Sequence, residues 1–399
     1  MSADYDVVVA GGGPVGATLA ALLLQPGRLA PGRVALLEPA VSVPAAAGEE
    51  PELRVSAISR ASERVLRTAG AWQRLDAARL CAYERMRIWH ESGSPWGAAA
   101  LEFRAAELGE PDLGHIIENR QLQAAAVAAF GERGGVHRPA ALEGFEVRDD
   151  GVTLRAGGEV LSARLLVGAD GARSGVRSGL GLEPRLHPYG QRAIVATVAT
   201  DEPHAATAWQ RFLGTGPLAL LPLFDGRCSI VWTAREALAE ELLALDDAAF
   251  SRRLTVASGA VLGAVRLASR RLAFPLQSLA LREYVRPRCA LIGDAAHVVH
   301  PLAGQGMNLG LLDAAALCES VATAVGQRED PGALRILRSY EQARRTHNLA
   351  TDAAMSLFNA VFSQPEGVRG WLAGLALGAV NGSGLARRFF MERALLPGG

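Results

Sequence analysis

The stretch 6-DVVVAGGGPVGATLAALLL-24 decides the fold. Val7 to Ala10 are apolar without alternation, as in a strand buried on both faces. Three glycines interrupt the run, and apolar residues then recur at helical spacing from about Val15 to Leu24. Within this strand–turn–helix stands Gly11-x-Gly13-x-x-Gly16. Gly11 permits the tight turn, Gly13 lets a pyrophosphate approach the backbone, and Gly16 lets helix and strand pack closely. The helix start offers free N–H groups and the positive end of its dipole to phosphates. A second apolar run, "RVALLEP", ends in Glu38, where a carboxylate can reach a ribose hydroxyl. The context on both sides argues for a dinucleotide site rather than an empty glycine turn, and leaves NAD and FAD both open.

Two later stretches repeat the grammar of a buried strand breaking into a polar, glycine-bearing turn. "LLVGADGARSGVR" (165–177) presents Asp170-Gly171, with Arg173, Ser174 and Arg177 on a starting helix. "RCALIGDAAHVVHPLAGQGMNLGLLDA" (288–314) presents Gly293-Asp294, then a loop leading to a helix from near Gly306. Two strand ends each offering an Asp, with a glycine-rich helix start, form a long polar groove suited to an extended dinucleotide with a polyol in its middle. No second GxGxxG follows a strand, so a separate nicotinamide domain is not expected.

Composition narrows the chemistry. The 399 residues carry 41 basic and 41 acidic side chains, so no basic field is available for nucleic acid. Every basic residue is arginine; without lysine, Schiff-base chemistry and a P-loop are excluded. The four cysteines are scattered with no CxxC pair, which fits a reducing cytoplasm and neither a zinc ribbon nor a disulfide framework. No charged-then-apolar leader opens the chain, and the apolar run Trp371–Val380 is too short to span a bilayer. A soluble protein, at most attached to a membrane surface, is expected.

Taken in order, the three motifs resemble those of the class A FAD-dependent aromatic monooxygenases, which share the para-hydroxybenzoate hydroxylase fold. Within them the chain is most similar to the ubiquinone-biosynthesis hydroxylases, on "HPLAGQGMNLGLLD", "RVSAIS" near Arg54 and "ENRQLQ" near Arg120. The resemblance covers essentially the whole chain. It implies an α/β fold: a Rossmann-like FAD-binding domain, an inserted antiparallel β-sheet substrate domain and a helical C-terminal region. It assigns Gly11, Gly13, Gly16 and Glu38 to the ADP half of FAD, places Arg54 and Arg120 along the cofactor, and gives Gly293-Asp294 the ribityl chain. The amides from Gly306 through Met307 to Asn308, with Gly304 before them, face the flavin pyrimidine edge. Asp170 and Gly171 serve both FAD and a passing NADPH or NADH. Pro301 and Gly306 stand beside the reacting end of the flavin. The implied reaction consumes NAD(P)H and O2 and hydroxylates a polyprenylated phenol through a hydroperoxide at flavin carbon C4a; ring carbon 5 is preferred over carbons 1 and 6. A cytoplasmic protein is implied, with peripheral contact at the inner membrane, a biosynthetic complex and a homo-oligomer all open.

The expected organisation is discontinuous: 1–70, 96–186 and 287–345 bind FAD, 71–95 and 187–286 form the substrate domain, and 346–399 is the C-terminal helical region. In the insertion, "AIVATVAT", "AWQRFL", "LALLPLF" and "CSIVWTA" read as antiparallel strands, interrupted by one helix from about Asp246 to Val256. Trp209, Phe212, Leu221, Pro222 and Trp232 could line a pocket, although a plain core role suits each as well. The stretch Val43–Glu52 reads as a flexible loop. The apolar tail suits a membrane, a partner, a cover over the substrate or simple packing.

Plainer readings stand beside these. His297 and His300 form an HxxH, but no third ligand is near in sequence, so no metal is expected. Arg54 and Arg120 without the resemblance would be surface arginines, Asp170 could simply cap its helix, and His115 and His347 carry no role. A flavin reductase or oxidase of a lipid, or a non-catalytic flavoprotein subunit, remains open. A flavin halogenase is disfavoured, because the family's halogenases rely on a lysine.

Overall fold

A computed structural model describes residues 3–46, 48–299 and 305–362, with side chains through Thr351. His300, Pro301 and Gly304, and the tail from 363 onward, fall outside the described residues.

The opening strand, Tyr5–Ala10, lies in the middle of an eight-stranded sheet. Val34–Leu37 and Glu159–Gly168 flank it in parallel; Val136–Arg138 extends one side and Cys289–Leu291 the other, also in parallel. Val7 to Val9, Val34 to Leu37 and Leu165 to Val167 are all buried, which is why these strands read as unbroken apolar runs. The helix Pro14–Leu23 covers one face together with Asn119–Glu132 and Gln305–Gly326. Gln305–Gly326 is apolar and long enough to cross a membrane by composition, yet Leu309, Leu311, Ala314, Leu317, Cys318 and Val321 are buried against protein.

The insertion forms a nine-stranded sheet, in which Arg185–Thr200 pairs with Cys228–Arg235 on one side and Leu272–Ala280 on the other. The four alternating stretches are strands of it. Two helices rather than one interrupt them, Glu236–Ala244 and Asp247–Ala257. One pairing is parallel: Thr207–Leu213 lies beside Arg85–His90, a strand far earlier in the chain, so the pair needs no hairpin.

The sheet boundaries differ from the expected segments at two points. Leu101–Arg104 pairs with Arg85–Ile88 and so belongs to the second sheet, beyond the expected limit at 95. His297–Val298 pairs with Leu279–Ala280, so the chain passes from the first sheet at Leu291 to the second within six residues. A third sheet of Val55–Ser59, Gly114–Glu118 and Cys81–Tyr83 sits where the two larger ones meet.

Candidate flavin site

The three glycine-bearing turns leave from one place. In register, Leu37 lies beside Ala10, Ala10 beside Gly168, and Gly168 beside Leu291. The backbone ties continue past the strands: Gly11 N donates to Leu37 O, Ala169 N to Ala10 O and Ile292 N to Gly168 O. This is the carboxyl edge of a parallel sheet at the point where successive connections depart in opposite directions, the place where such sheets bind ligands.

The first turn is built by steric necessity. Gly11 has φ +101°, and a Cβ there would lie 2.4 Å from Ala169 O. A Cβ on Gly16 would lie 2.0 Å from Gly11 O. Gly13 faces the other way, with no heavy atom within 4 Å of its would-be Cβ. That opening at a helix start fits a phosphate. Glu38 closes the turn: its Oε2 accepts from Gly12 N at 2.8 Å and its Oε1 from Ala40 N at 3.1 Å. Gln123 completes the brace, donating to Gly12 O at 2.9 Å and accepting from Ser42 N at 3.2 Å. Its only sequence signal is its place in "ENRQLQ".

Asp170 combines its two readings. Its Oδ2 accepts from Gly175 N and Val176 N, at 2.7 and 3.1 Å, and so caps the helix Gly175–Gly179. Its Oδ1 is buried with no hydrogen-bond partner among the described residues, which leaves a lone pair for a ligand hydroxyl or amide. Arg177 joins this turn to the next: buried, it donates to Ala172 O at 2.7 Å and to Ala295 O at 3.0 Å.

In the third turn Gly293 has φ +58° and packs under Val15, while a Cβ on Gly310 would meet Val15 Cγ2 at 2.7 Å and Gly293 Cα at 3.3 Å. Glycine at 310 is thus what lets the helix Gln305–Gly326 reach the turn. Asp294 opens to solvent, but crowding by the surrounding protein raises its pKa; His297 and Arg54 pull the other way. Asn308 is buried, with Nδ2 donating to Ala57 O at 2.8 Å and Oδ1 accepting from Ser59 N at 3.0 Å. Its side chain therefore clips the helix onto the "RVSAIS" strand. Gly306 and Met307, beside it, are half-buried.

Arg54 and Arg120 come together on one cavity of about 370 Å3, lined also by Pro51, Leu53, Arg270 and Leu272. The stretch expected to be a flexible loop is held here. Arg120 donates to Glu49 at 2.9 Å from its side chain and to Glu52 at 3.0 Å from its backbone. Beneath, Arg79 pairs with Glu118 through two 2.8 Å bonds and donates to Glu49 O, and Glu52 N donates back to Glu118. Glu50 reaches Arg227 on the second sheet.

The pocket candidates separate by strand parity. Trp209 and Trp232 pack with Phe250 and Leu254 between the sheet and its two helices, and so belong to a core rather than to a pocket. Phe212 faces the other way, buried against Ile88, Phe103 and Leu223, and Leu221 is partly buried at the same cluster. Pro222 is buried. The face away from the helices carries a cross-strand row, Leu272–Val195–Val231–Ala219, whose members are only half-buried. Leu272 also lines the arginine cavity.

His115, given no role by its sequence, joins Glu63 and Asp112 in a cluster with metal-like spacing. Arg60 pairs with both carboxylates, and the ring lies edge-on to Trp72 at 5.1 Å. An arginine among the acids supplies the charge a cation would, so this is an ion-pair cluster.

Under the third turn, Asp313 is fully buried. Burial alone would raise its pKa, but His297 and Arg344 outweigh it and hold the carboxyl at about 2, against 3.8 normally. A folded pKa below the unfolded one adds stability that is complete above about pH 4 and is lost as pH falls toward 2. The loss should be about 2 kcal/mol. Urea midpoints measured between pH 5 and 2 should drop accordingly, and Asp313→Asn should flatten that slope.

A family model described as an FAD binding domain matches residues 4–353. The chain belongs to the FAD-dependent monooxygenases. Among curated relatives it is 38% identical to the ubiquinone hydroxylase UbiL of Rhodospirillum rubrum, over 98% of this chain and 89% of that protein. It is 35% identical to the 3-demethoxyubiquinol 3-hydroxylase of Escherichia coli, over 98% of both. Among solved structures, p-nitrophenol 4-monooxygenase PnpA of Pseudomonas putida superposes with a TM-score of 0.78 at 20% identity, covering 100% of this chain and 99% of that one, which supports the fold. The α/β fold with an inserted sheet and the FAD cofactor thus stand as the sequence indicated. The open space at Gly13, the orphaned Asp170 Oδ1 and the buried Arg120 Nε without a partner among the described residues fit such a cofactor.

Proposed function

We propose that this monooxygenase adds one oxygen atom to the aromatic ring of a polyprenylated phenol on the way to ubiquinone, with NADPH or NADH as electron donor. The observation that carries the reading is the likeness to ubiquinone-ring hydroxylases along 98% of the chain. Bound FAD supplies the chemistry, accepting electrons from the nicotinamide and passing oxygen to the ring. The protein supplies position and dryness. Gly11, Gly13, Gly16 and the helix start hold the pyrophosphate, with Glu38 at the ribose and Asp294 at the ribityl chain. Arg54 and Arg120 lie along the cofactor, and Asp170-Gly171 also meets the passing nicotinamide. Amides from Gly306 to Asn308 place positive charge at the pyrimidine edge, with Gly304 and Pro301 leading into them. The half-buried row Leu272–Val195–Val231–Ala219 offers the prenyl chain an apolar seat.

Ring carbon 5 is the proposed position, on the "RVSAIS" and "LGHIIENRQLQ" stretches. A cytoplasmic protein working against the inner membrane suits a substrate that partitions into lipid. Incubation of the purified protein with a prenylated phenol, NADPH and 18O2 tests the reading. The product should gain one labelled oxygen at carbon 5 of the ring. Product without label would make the protein a reductase or oxidase, and no NADPH consumption would make it a non-catalytic subunit.

A further inference from the structure

Asp313 lies outside the glycine turns, but four donors converge on it. Its Oδ1 accepts from Arg344 Nε at 2.8 Å and Asn348 Nδ2 at 3.2 Å; its Oδ2 accepts from Gly293 N at 3.1 Å and His297 Nε2 at 2.5 Å. A carboxylate has about four lone-pair sites and no donor, so this one is fully engaged and carries no proton. The hydrogen in the short contact must therefore sit on His297 Nε2. With Nε2 engaged by Asp313, Nδ1 is the ring nitrogen left for a second partner. That Nδ1 is buried without a partner among the described residues, in a histidine only 5% exposed. It stands three residues from Asp294, close enough for His297 to act on the Asp294 carboxyl.

We propose that Asp313 is a positioning residue: it fixes the Gly293 turn and the orientation of the His297 ring, so that Nδ1 forms a hydrogen bond with a hydroxyl of the bound flavin dinucleotide. A buried polar atom left unpaired is costly and is rarely tolerated without a ligand or water to fill it. Arg344 and Asn348 belong to the helix Leu334–Phe362, so the same carboxylate also locks that helix to the flavin turn. The inference rests on the FAD site and is independent of which phenol is hydroxylated.

Two measurements without turnover test it. In 15N-histidine NMR of the apoprotein, His297 should show a protonated Nε2 and an Nδ1 signal that moves when FAD is added. Fluorescence titration of apoprotein with FAD should give a Kd raised about tenfold or more for both His297→Gln and Asp313→Asn, the loss of one buried hydrogen bond. The double variant should be no weaker than the poorer single, because one residue acts through the other. Affinities are read well below each variant's own melting temperature, so that a folded His297→Gln protein that binds FAD weakly separates positioning from general destabilisation. If Asp313→Asn does not fold, His297→Gln and the NMR signals still decide. An Nδ1 signal unmoved by FAD (as for a trapped water), unchanged affinity of His297→Gln, or additive losses would each overturn the proposal.

Discussion

Purified Gly16→Ala protein is expected to be nearly colourless and to bind added FAD about ten- to a hundredfold more weakly than the parent. The Cβ it introduces falls 2.0 Å from Gly11 O and 2.9 Å from Ala169 Cβ. Neither neighbour can yield: Gly11 is fixed by its own contact with Ala169, and Ala169 N is bonded to Ala10 O. The helix must lift from the sheet edge, at about 1–3 kcal/mol of strain, and the amides aimed at the pyrophosphate move with it. Gly13→Ala supplies the contrast. Its backbone, φ −60° and ψ 174°, suits any residue, and the new methyl meets nothing. That variant should melt like the parent yet bind FAD more weakly, because the methyl fills the space a phosphate needs. Flavin absorbance after purification and a fluorescence titration measure both. An unchanged Kd for Gly16→Ala, or for Gly13→Ala, would refute the assignment of this turn.

Arg79→Ala should lower stability by about 3–5 kcal/mol, read as the shift in urea unfolding. Arg79 and Glu118 are 4% and 2% exposed, so removing the guanidinium leaves a buried carboxylate without its counter-charge, held only by Glu52 N and Gln121 Nε2. The variant also frees the Glu49 carbonyl that Arg79 holds, and with it the loop whose Glu49 and Glu52 engage Arg120. Arg79→Leu combined with Glu118→Leu should recover much of the loss, since an apolar pair needs no partner charge. FAD affinity should stay weakened in the double variant, because the loop has lost its anchor. A single-variant loss below about 1 kcal/mol, in the range of exposed ion pairs, would show that the pair is not dry.

Local physics made much of this legible. An unbroken apolar run that stops at a glycine reads as a strand covered on both sides, and the runs ending at Gly11, Gly168 and Gly293 share that form; at Gly11 a Cβ would fall 2.4 Å from Ala169 O. The strands of the insertion were readable from alternation. Which face of them meets the helices was not, because a one-residue uncertainty in register inverts every side chain; hence Trp209 and Trp232 proved to be core. The Val43–Glu52 loop looked free because its anchors, Arg79 and Glu118, are distant in sequence and look like ordinary surface charges.

The sequence by itself determined the class of site: a strand, a turn only glycine can make, a helix start, an acid at the next strand end, and no lysine for rival chemistries. Those are properties of a few neighbouring residues, set by sterics and by backbone groups left unpaired. Only the tertiary structure decided that Ala10, Gly168 and Leu291 end side by side, that Arg177 bridges two turns, and that Asp313 gathers Gly293, His297, Arg344 and Asn348. Long-range pairing in the buried interior leaves no periodicity in the chain, because a buried carboxylate selects its partners by distance and direction rather than by spacing in sequence.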